Sequence, residues 1–400
     1  DRGRFGALLD RLQIPRPEYG VASDLAAARA VARRLGYPVL VRPSYVLGGQ
    51  AMAICYDDGR LAEYLVRAVQ VSEGRPILVD KFLEDAIEVD VDAIADGERV
   101  VICGIMQHLE LAGIHSGDSV CVLPTWKVRP EQLETIRAIT RALAEALEVR
   151  GLMNLQLAIY EGTVHVLEVN PRASRTVPFL SKACGIPFAK LAAKVMVGRR
   201  LTELGLTEEP RPSGFAVKVP VFPFDRFPGF HPVLGPEMRS TGEAYGADDE
   251  FGLAFAKAMM SAGNPLPVRG TVCLSVNDRD KEELVPIARA LADLGFTLMG
   301  TRGTAAHLVA AGLDVGRAYK VNEGRPHIAD RIRNGEIELL INTPLGGPSF
   351  YDEYALRHAA ITCRVPMLTT LSASRAAVEG IRRLRENVLS VQRLRPAGVG

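Results

Sequence analysis

The chain has 400 residues, 48% hydrophobic and 24% charged, and its 48 Lys and Arg against 47 Asp and Glu leave a formal net charge of +1. This composition excludes disorder as the default and supplies enough apolar material for two or three cores. The balanced charge gives no electrostatic footprint for nucleic acid or a membrane surface, so neither is an expected partner, whereas a small anion held by local groups stays open.

The opening stretch DRGRFGALLDRLQIP reads as a helix entered without an initiator Met, and the chain is expected to be a piece of a longer polypeptide. From there to residue 212, strands are expected in YPVLVRPS, PILVDKFL, AIEVDVDAIA, RVVICGIM and MNLQLAIYEGTVHVLEV, and helices over 24–35, 59–71, 130–147 and 182–197. Asp96-Gly97 and Glu161-Gly162 mark hairpins, and hairpins mixed with helices mean an α+β arrangement. Residues 213–262 are rich in aromatics and Pro, carry one helix near 251–260 and run into SAGNPLPVRG, which reads as a linker. The pattern then changes: TVCLSV, a helix at 281–294, FTLMG, a Gly loop TRGTA, a helix, AYKV, a helix at 326–333, IELLINTP, a helix, VPMLTT and a helix at 373–386. Strands separated by helices pair in parallel, so residues 263–400 form a smaller α/β Rossmann-like domain. The six Cys are scattered, no secretory h-region opens the chain and no apolar run reaches membrane-spanning length, so reduced thiols and a cytoplasmic location are expected.

Chemistry concentrates in HVLEVNPRASRTVPFLSKACGIP. Alternation along a strand puts Glu168, Asn170 and Arg172 on one face and Leu167 with Val169 on the other. A three-residue loop 161–163 pairs 160 with 164, 158 with 166 and Gln156 with Glu168, although a two-residue loop would break that register. A Glu168–Arg172 ion pair is disfavoured, since four strand residues span roughly 13 Å. Glu168 and Asn170, roughly 7 Å apart along the backbone, can instead share a cation on a polyphosphate, with Gln156 adding a neutral oxygen and Arg172 and Arg175 facing anionic oxygens. Arg42 at a strand end precedes Gly48 and Gly49, whose N–H groups could close over phosphates. Glu88, Asp90 and Asp92 share one strand face, a spacing more often solvent-facing than ligating. His115 lies between Gly113 and Gly117, which allow close approach to an anion.

Together VRPSYVLGGQAM, EVDVDAIADGE, AGIHSGDS, RGLMNLQLAIY and LEVNPRASRTVPFLSKACGIPFAKLAAKVM resemble ATP-grasp enzymes, and specifically the second synthetase half of the carbamoyl-phosphate synthetase large subunit. GPEMRSTGE and KVNEGRPHIADRIRNGE extend the resemblance over essentially the whole chain. It implies an α+β ATP-grasp domain over 1–212, an extension and linker over 213–262, and a methylglyoxal-synthase-like allosteric domain over 263–400. It also implies that Arg42 touches the phosphates, that the strip with Asp80, Lys81 and Leu83 meets adenine, and that Glu88 holds the ribose. The loop of Gly113, Ile114, His115 and Ser116 would contact the nucleotide, and Gln156, Glu168 and Asn170 would carry Mg²⁺ or Mn²⁺, with K⁺ a further candidate. Arg172, Arg175 and Asn170 form the implied catalytic set. Lys81 departs from the pattern, since His stands there in some relatives.

The implied reaction is phosphorylation of carbamate by ATP, in pyrimidine and arginine biosynthesis, under a closing Gly-rich lid over 44–50. The implied partners are the N-terminal half of the large subunit, a glutaminase small subunit and a nucleotide monophosphate effector, and a homo-oligomer is compatible with the resemblance. Lys281, Thr301, Thr304, Lys320, Asn342 and Thr343 match effector-binding positions, while Pro344 stands where a second Thr would strengthen the pocket. Glu110, Asp118 and Thr369 fit an ornithine site in which Val219 replaces an acid. Four alternatives stay open: the bicarbonate-phosphorylating half, a biotin-carboxylase-like ligase sharing EVNPR, a non-catalytic nucleotide-binding module, and methylglyoxal synthase.

Overall fold

VLVRP is mostly apolar and β-branched at Val39 and Val41, and in the computed structural model that segment is a strand with every second residue buried. Residues 2–43, 52–72, 76–224, 234–343, 350–387, 389–391 and 394 are described. The lid expected over 44–50, with Gly48 and Gly49, and Pro344 lie outside them. The chain divides into two compact units, one built mainly on Asp1–Ser213 with Gly235–Met238, the other on Gly214–Leu234 and Arg239–Val391.

The first unit begins with α1 (Arg2–Arg11), β1 (Tyr19–Ala22), α2 (Leu25–Leu35), β2 (Val39–Pro43), β3 (Ala53–Cys55), α3 (Asp58–Ser72) and β4 (Ile77–Lys81). The strands form an antiparallel sheet in the order β1-β4-β2-β3. Asp24 caps α2 by accepting from the Ala27 N–H at 2.8 Å, and Ala28 and Ala32 on its inner face pack with Val39, Val41 and Val79.

Next come β5 (Ile87–Asp96), β6 (Val100–His108), β7 (Cys121–Leu123), α4 (Pro130–Ala146), β8 (Arg150–Tyr160), β9 (Thr163–Asn170), α5 (Thr176–Cys184) and α6 (Phe188–Met196). Within this unit the strands run β7-β6-β5-β8-β9, antiparallel throughout. One sheet face is apolar: Val89, Val91, Met153, Leu155, Leu157 and Val166 form a core with Ile136 and Leu143 of α4. The opposite face carries the even-numbered residues of β5 and β8, among them the acids and amides of interest.

Two expectations fail here for local reasons. The single helix expected over 182–197 is two, because Gly185 takes a left-handed conformation (φ 67°) and Pro187 stands before α6. The short strands β1, β3 and β7 have no counterpart among the expected strands, because three or four residues carry too little periodicity to register.

The second unit pairs β10 (Phe215–Val221) with β11 (Gly242–Asp248) antiparallel, under α7 (Phe251–Ser261). It continues with β12 (Thr271–Val276), α8 (Lys281–Asp293), β13 (Thr297–Thr301), α9 (Arg302–Ala310), β14 (Gly316–Ala318), α10 (Ile328–Arg333), β15 (Leu339–Thr343), α11 (Phe350–Thr362), β16 (Met367–Leu368) and α12 (Leu371–Glu386). The sheet β14-β13-β12-β15-β16 is parallel at every pair, as the strand–helix alternation required. TRGTA is not a free loop: α9 begins at Arg302, so these residues form its first turn. The strand expected in AYKV ends at Ala318. Among the described residues no helix is long and apolar enough to cross a membrane.

Helix α7 approaches β11 at Gly246, where a Cβ would lie 2.3 Å from the Ala254 carbonyl oxygen and 2.4 Å from the Ala258 nitrogen. Both are backbone atoms, so no rotamer change relieves the clash. Gly246→Ala is expected to cost about 3 kcal/mol or more, the upper end of overpacking, seen as a lowered urea midpoint. A wild-type midpoint would mean that α7 is free to move off the strand.

Candidate functional site

The hairpin β8–β9 sets the site. Its turn is the two residues Glu161 (φ 47°) and Gly162 (φ 84°), both left-handed, so Tyr160 pairs with Thr163 and Ala158 with His165 rather than in the expected three-residue-loop register. A register shift follows: Leu157 opposes Val166, then Gln156 opposes Glu168 and Asn154 opposes Asn170. Leu167 is the extra residue of a β-bulge. The expected Gln156–Glu168 pair therefore forms, by a bulge that offsets the shorter turn. The bulge also corrects the assignment of faces, since Leu167 packs with Phe82, Leu83 and Ala158 while Val169 packs in the α4 core.

Register carries the polar face across three strands. Asp90, Gln156 and Glu168 stand opposite one another in one row, and Asp92, Asn154 and Asn170 in the next. Asn170 Nδ2 donates to Glu168 Oε1 at 2.7 Å, leaving the side-chain oxygen Oδ1 of Asn170 available. Gln156 Nε2 donates to Ser116 Oγ at 3.0 Å, and the Gly113 N–H donates to Glu88 Oε1 at 2.9 Å. The loop of Gly113, Ile114, His115 and Ser116 is thus tied at both ends to the polar face. Gly113 (φ 89°) admits no side chain, because a Cβ would lie 2.7 Å from Phe82 Cε2. His115 Nδ1 accepts from the Gly117 N–H at 3.0 Å, and burial holds its pKa below the ordinary imidazole value, with Asp118 and Glu168 opposing. The ring is therefore neutral, and Nε2–H is its remaining donor.

Two expectations about charges are overturned. Asp90 and Asp92 do not face solvent; each is 1% exposed. Asp92 is compensated by Asn154 Nδ2 (3.1 Å), Ser174 Oγ (2.7 Å) and Thr176 Oγ1 (2.5 Å), and burial still lifts its carboxyl to about 6. His108 stands between the other two acids, its Nε2 3.2 Å from Asp90 Oδ2 and its Nδ1 3.3 Å from Glu88 Oε2. Burial alone would lower the His108 pKa; Cys121 and Asp90 outweigh it and raise it well above the ordinary value. Arg172 does not continue the strand face: β9 ends at Asn170, the Arg172 N–H turns back to the Asn170 carbonyl at 2.8 Å, and the exposed side chain reaches the Ala173 carbonyl. Arg175, also exposed, is the residue before α5.

Arg42 pairs with buried Asp80 at 2.8 Å, while burial lifts the Asp80 carboxyl against the pull of that guanidinium. Lys81 turns its ammonium to the Gly36 and Tyr37 carbonyls at 2.9 and 3.3 Å. Leu83 is buried with Phe82 and Ala112, which brings the strip 80–83 beside the Gly113 loop.

In the second unit, Thr301, Thr304, Asn342 and Thr343 are buried at the C-terminal ends of β13 and β15 and in the first turn of α9. Thr301 Oγ1 donates to Thr304 Oγ1 at 3.2 Å, Asn277 binds the Thr343 carbonyl, and Asn342 Nδ2 has no hydrogen-bond partner among the described residues. Lys281 pairs with Asp278 at 2.6 Å, and its Nζ lies 3.1 Å from where a Gly303 Cβ would be, over the first turn of α9. The Lys320 N–H donates to Glu323 at 3.1 Å. The C-terminal edge of a parallel sheet is where ligands of such folds bind.

Residues 1–204 match the family described as carbamoyl-phosphate synthase L chain, ATP binding domain. The chain belongs to that family. Residues 283–369 match the MGS-like domain. The carbamoyl phosphate synthase large chain of Acidobacterium capsulatum is 56% identical over 389 residues, covering 95% of this chain and 35% of the relative. That of Archaeoglobus fulgidus is 52% identical over 393 residues, covering 98% and 36%. The chain thus spans about a third of the length of these curated relatives. Among solved structures, the biotin carboxylase domain of Hydrogenobacter thermophilus 2-oxoglutarate carboxylase overlays with a TM-score of 0.54 at 18% identity, covering 65% of this chain and 64% of that one. N5-carboxyaminoimidazole ribonucleotide synthetase from Thermus thermophilus gives 0.51 at 15%, covering 65% and 71%. At such identities the likeness is one of fold, and the fold of this carbamoyl-phosphate synthase family member is an ATP-grasp domain followed by an MGS-like parallel-sheet domain.

Sequence reasoning missed His108, Asn154, Ser174 and Thr176. Asn154 could have been found from the hairpin register, two residues before Gln156. His108 and the two hydroxyls join the site only through β6 and α5, which no local pattern connects to it.

Proposed function

We propose that the chain is the carbamate-phosphorylating half of a carbamoyl-phosphate synthase large chain, with control by a nucleotide monophosphate through the MGS-like domain. The observation that carries this reading is the alignment of Gln156 with Glu168 in one polar row and Asn170 at the end of the next, beside a loop held by Glu88 and Gln156. The three side chains fit Mg²⁺ or Mn²⁺, because all offer oxygen and, among the described residues, Glu168 has no ion-pair partner and buried Asp90 Oδ1 in the same row has no hydrogen-bond partner. When bound, the metal supplies neutralising charge for the polyphosphate.

The remaining roles belong to the chain's own groups. Glu88 orients the Gly113–Ser116 loop and receives the ribose, the strip with Asp80, Lys81 and Leu83 lines the adenine, and Arg42 reaches the phosphates. Neutral His115 donates from Nε2 without adding charge. Arg172 and Arg175 project from the turn after Asn170, where guanidinium groups stabilise charge spread over the transferring phosphoryl oxygens. No protein nucleophile is needed, since the carbamate oxygen attacks phosphorus directly. The proposed domain limits are 1–212, 213–262 and 263–400, with an N-terminal half and a glutaminase subunit as partners. Lys281, Thr301, Thr304, Lys320, Asn342 and Thr343 are the proposed effector contacts.

The test is ATP formation from ADP and carbamoyl phosphate with Mg²⁺, with titration by UMP and IMP. Metal-dependent ATP formation that shifts with one nucleotide is expected. Bicarbonate-stimulated ATP hydrolysis without it would transfer the assignment to the other half.

A further inference from the structure

The buried Asp92 lies outside every role given above, yet it is among the best-connected side chains of the polar face. It sits on β5 in the middle of the sheet, with Gly104 of β6 on one side and Asn154 of β8 on the other. At Gly104 the sheet has no side chain, and a Cβ there would lie 2.5 Å from Leu180 Cδ2, so α5 rests directly on the sheet. That close approach brings the first residue of α5, Thr176, onto Asp92 Oδ2, while Ser174 and Asn154 donate to Oδ1. Ser174 Oγ and Thr176 Oγ1 lie 2.7 Å apart, side by side on the one carboxylate that accepts the single hydrogen of each.

These contacts enclose the arginines. Asn170 is the last residue of β9, and its cross-strand neighbour is Asn154. Asn154 is held by Asp92 at one end of the segment, and Ser174 with Thr176 by the same carboxylate at the other. Between them run residues 171–175, with Arg172 and Arg175 both exposed. We propose that Asp92 is a positioning residue: one buried carboxylate gathers three donors and thereby sets where Arg172 and Arg175 stand relative to Glu168 and Asn170. An amide at this position would turn an NH₂ group toward one of the hydroxyls and lose an acceptor.

The proposal rests on the phosphoryl-transfer reading for its kinetic consequence but not for its geometry, and two measurements in the full chain separate them. In Asp92→Asn, turnover in the ADP and carbamoyl phosphate assay is expected to fall about 10²-fold, the scale of a displaced catalytic group, with ADP affinity within about twofold of wild type. Hydrogen exchange is expected to quicken in 171–180 and not across the α4 core. Thr176→Val, a milder change, is expected to move both readouts the same way and Thr176→Ser to restore them, which covers the case in which Asp92→Asn does not fold. Wild-type turnover in Asp92→Asn, equal losses in Thr176→Val and Thr176→Ser, or exchange that rises evenly over the unit would overturn the proposal. Absence of ATP formation by the wild-type chain would instead remove the reaction, and exchange in 171–180 would still decide the tether.

Discussion

Glu168→Gln is expected to lower ATP formation from ADP and carbamoyl phosphate by roughly 10²–10³-fold, the scale of removing a group that acts on transition-state charge, while the fold survives. The substitution is nearly isosteric, and its carbonyl oxygen still accepts from Asn170 Nδ2, which now lies 2.7 Å from Glu168 Oε1. What goes is the charge. Gln156 and Asn170 offer only neutral oxygens, so Glu168 is the one anionic donor of the proposed set, and a divalent cation held without it loses most of its electrostatic attraction. Thermal stability should not fall, because Glu168 stands two strands from Asp90 in the same row, about 10 Å away, and removing one of two like charges relieves repulsion. The discriminating result is a kinetic loss that raising Mg²⁺ partly recovers in a variant with a wild-type melting curve. Turnover within twofold of wild type would take the carboxylate out of metal binding.

The sequence made much of this architecture legible, because its strongest signals are periodic. The βαβ order after residue 270 leaves parallel pairing as the only short-connection solution, and the sheet β14-β13-β12-β15-β16 follows it. Apolar alternation in IEVDVDAIA placed Glu88, Asp90 and Asp92 on one face, and that is where they lie. The burial of Asp90 and Asp92 was not legible, because it depends on what covers the face: α5 descends at Gly104, and His108 arrives from β6. Two backbone details were equally hidden. The Glu161-Gly162 turn is shorter than the alternation suggested, and the Leu167 bulge compensates for it, so the right cross-strand pair came from a wrong loop length. Helix 182–197 read as continuous because a single Gly within an amphipathic pattern is tolerated; at Gly185 a left-handed conformation ends the helix.

The burial of those acids leads to the second large effect, at His108. Glu88 and Asp90 approach opposite nitrogens of one imidazole, which is buried together with Asp90 while Glu88 is half-buried. With the ring protonated, one positive charge lies between two carboxylates; with a neutral side chain in its place, two like charges face each other in a desolvated strip. His108→Gln is therefore expected to cost about 3–5 kcal/mol, the range for breaking a buried ion pair by removing one partner, and to loosen the Gly113 loop, whose N–H is held by Glu88. The pH dependence has a definite sign. The pKa of His108 is raised on folding, so the ring binds its proton more tightly in the folded state than in the unfolded one. Its contribution is complete below the unfolded value of about 6.5 and is lost as pH rises through the higher folded value. Urea denaturation of wild type and His108→Gln should show a wide stability gap at pH 6 that narrows on the alkaline side. Because Glu88 holds the loop, nucleotide affinity should weaken over the same alkaline range in wild type and stay flat in the variant. A gap that is constant across pH would mean that His108 is neutral in the fold and that Glu88 and Asp90 are kept apart by some other group.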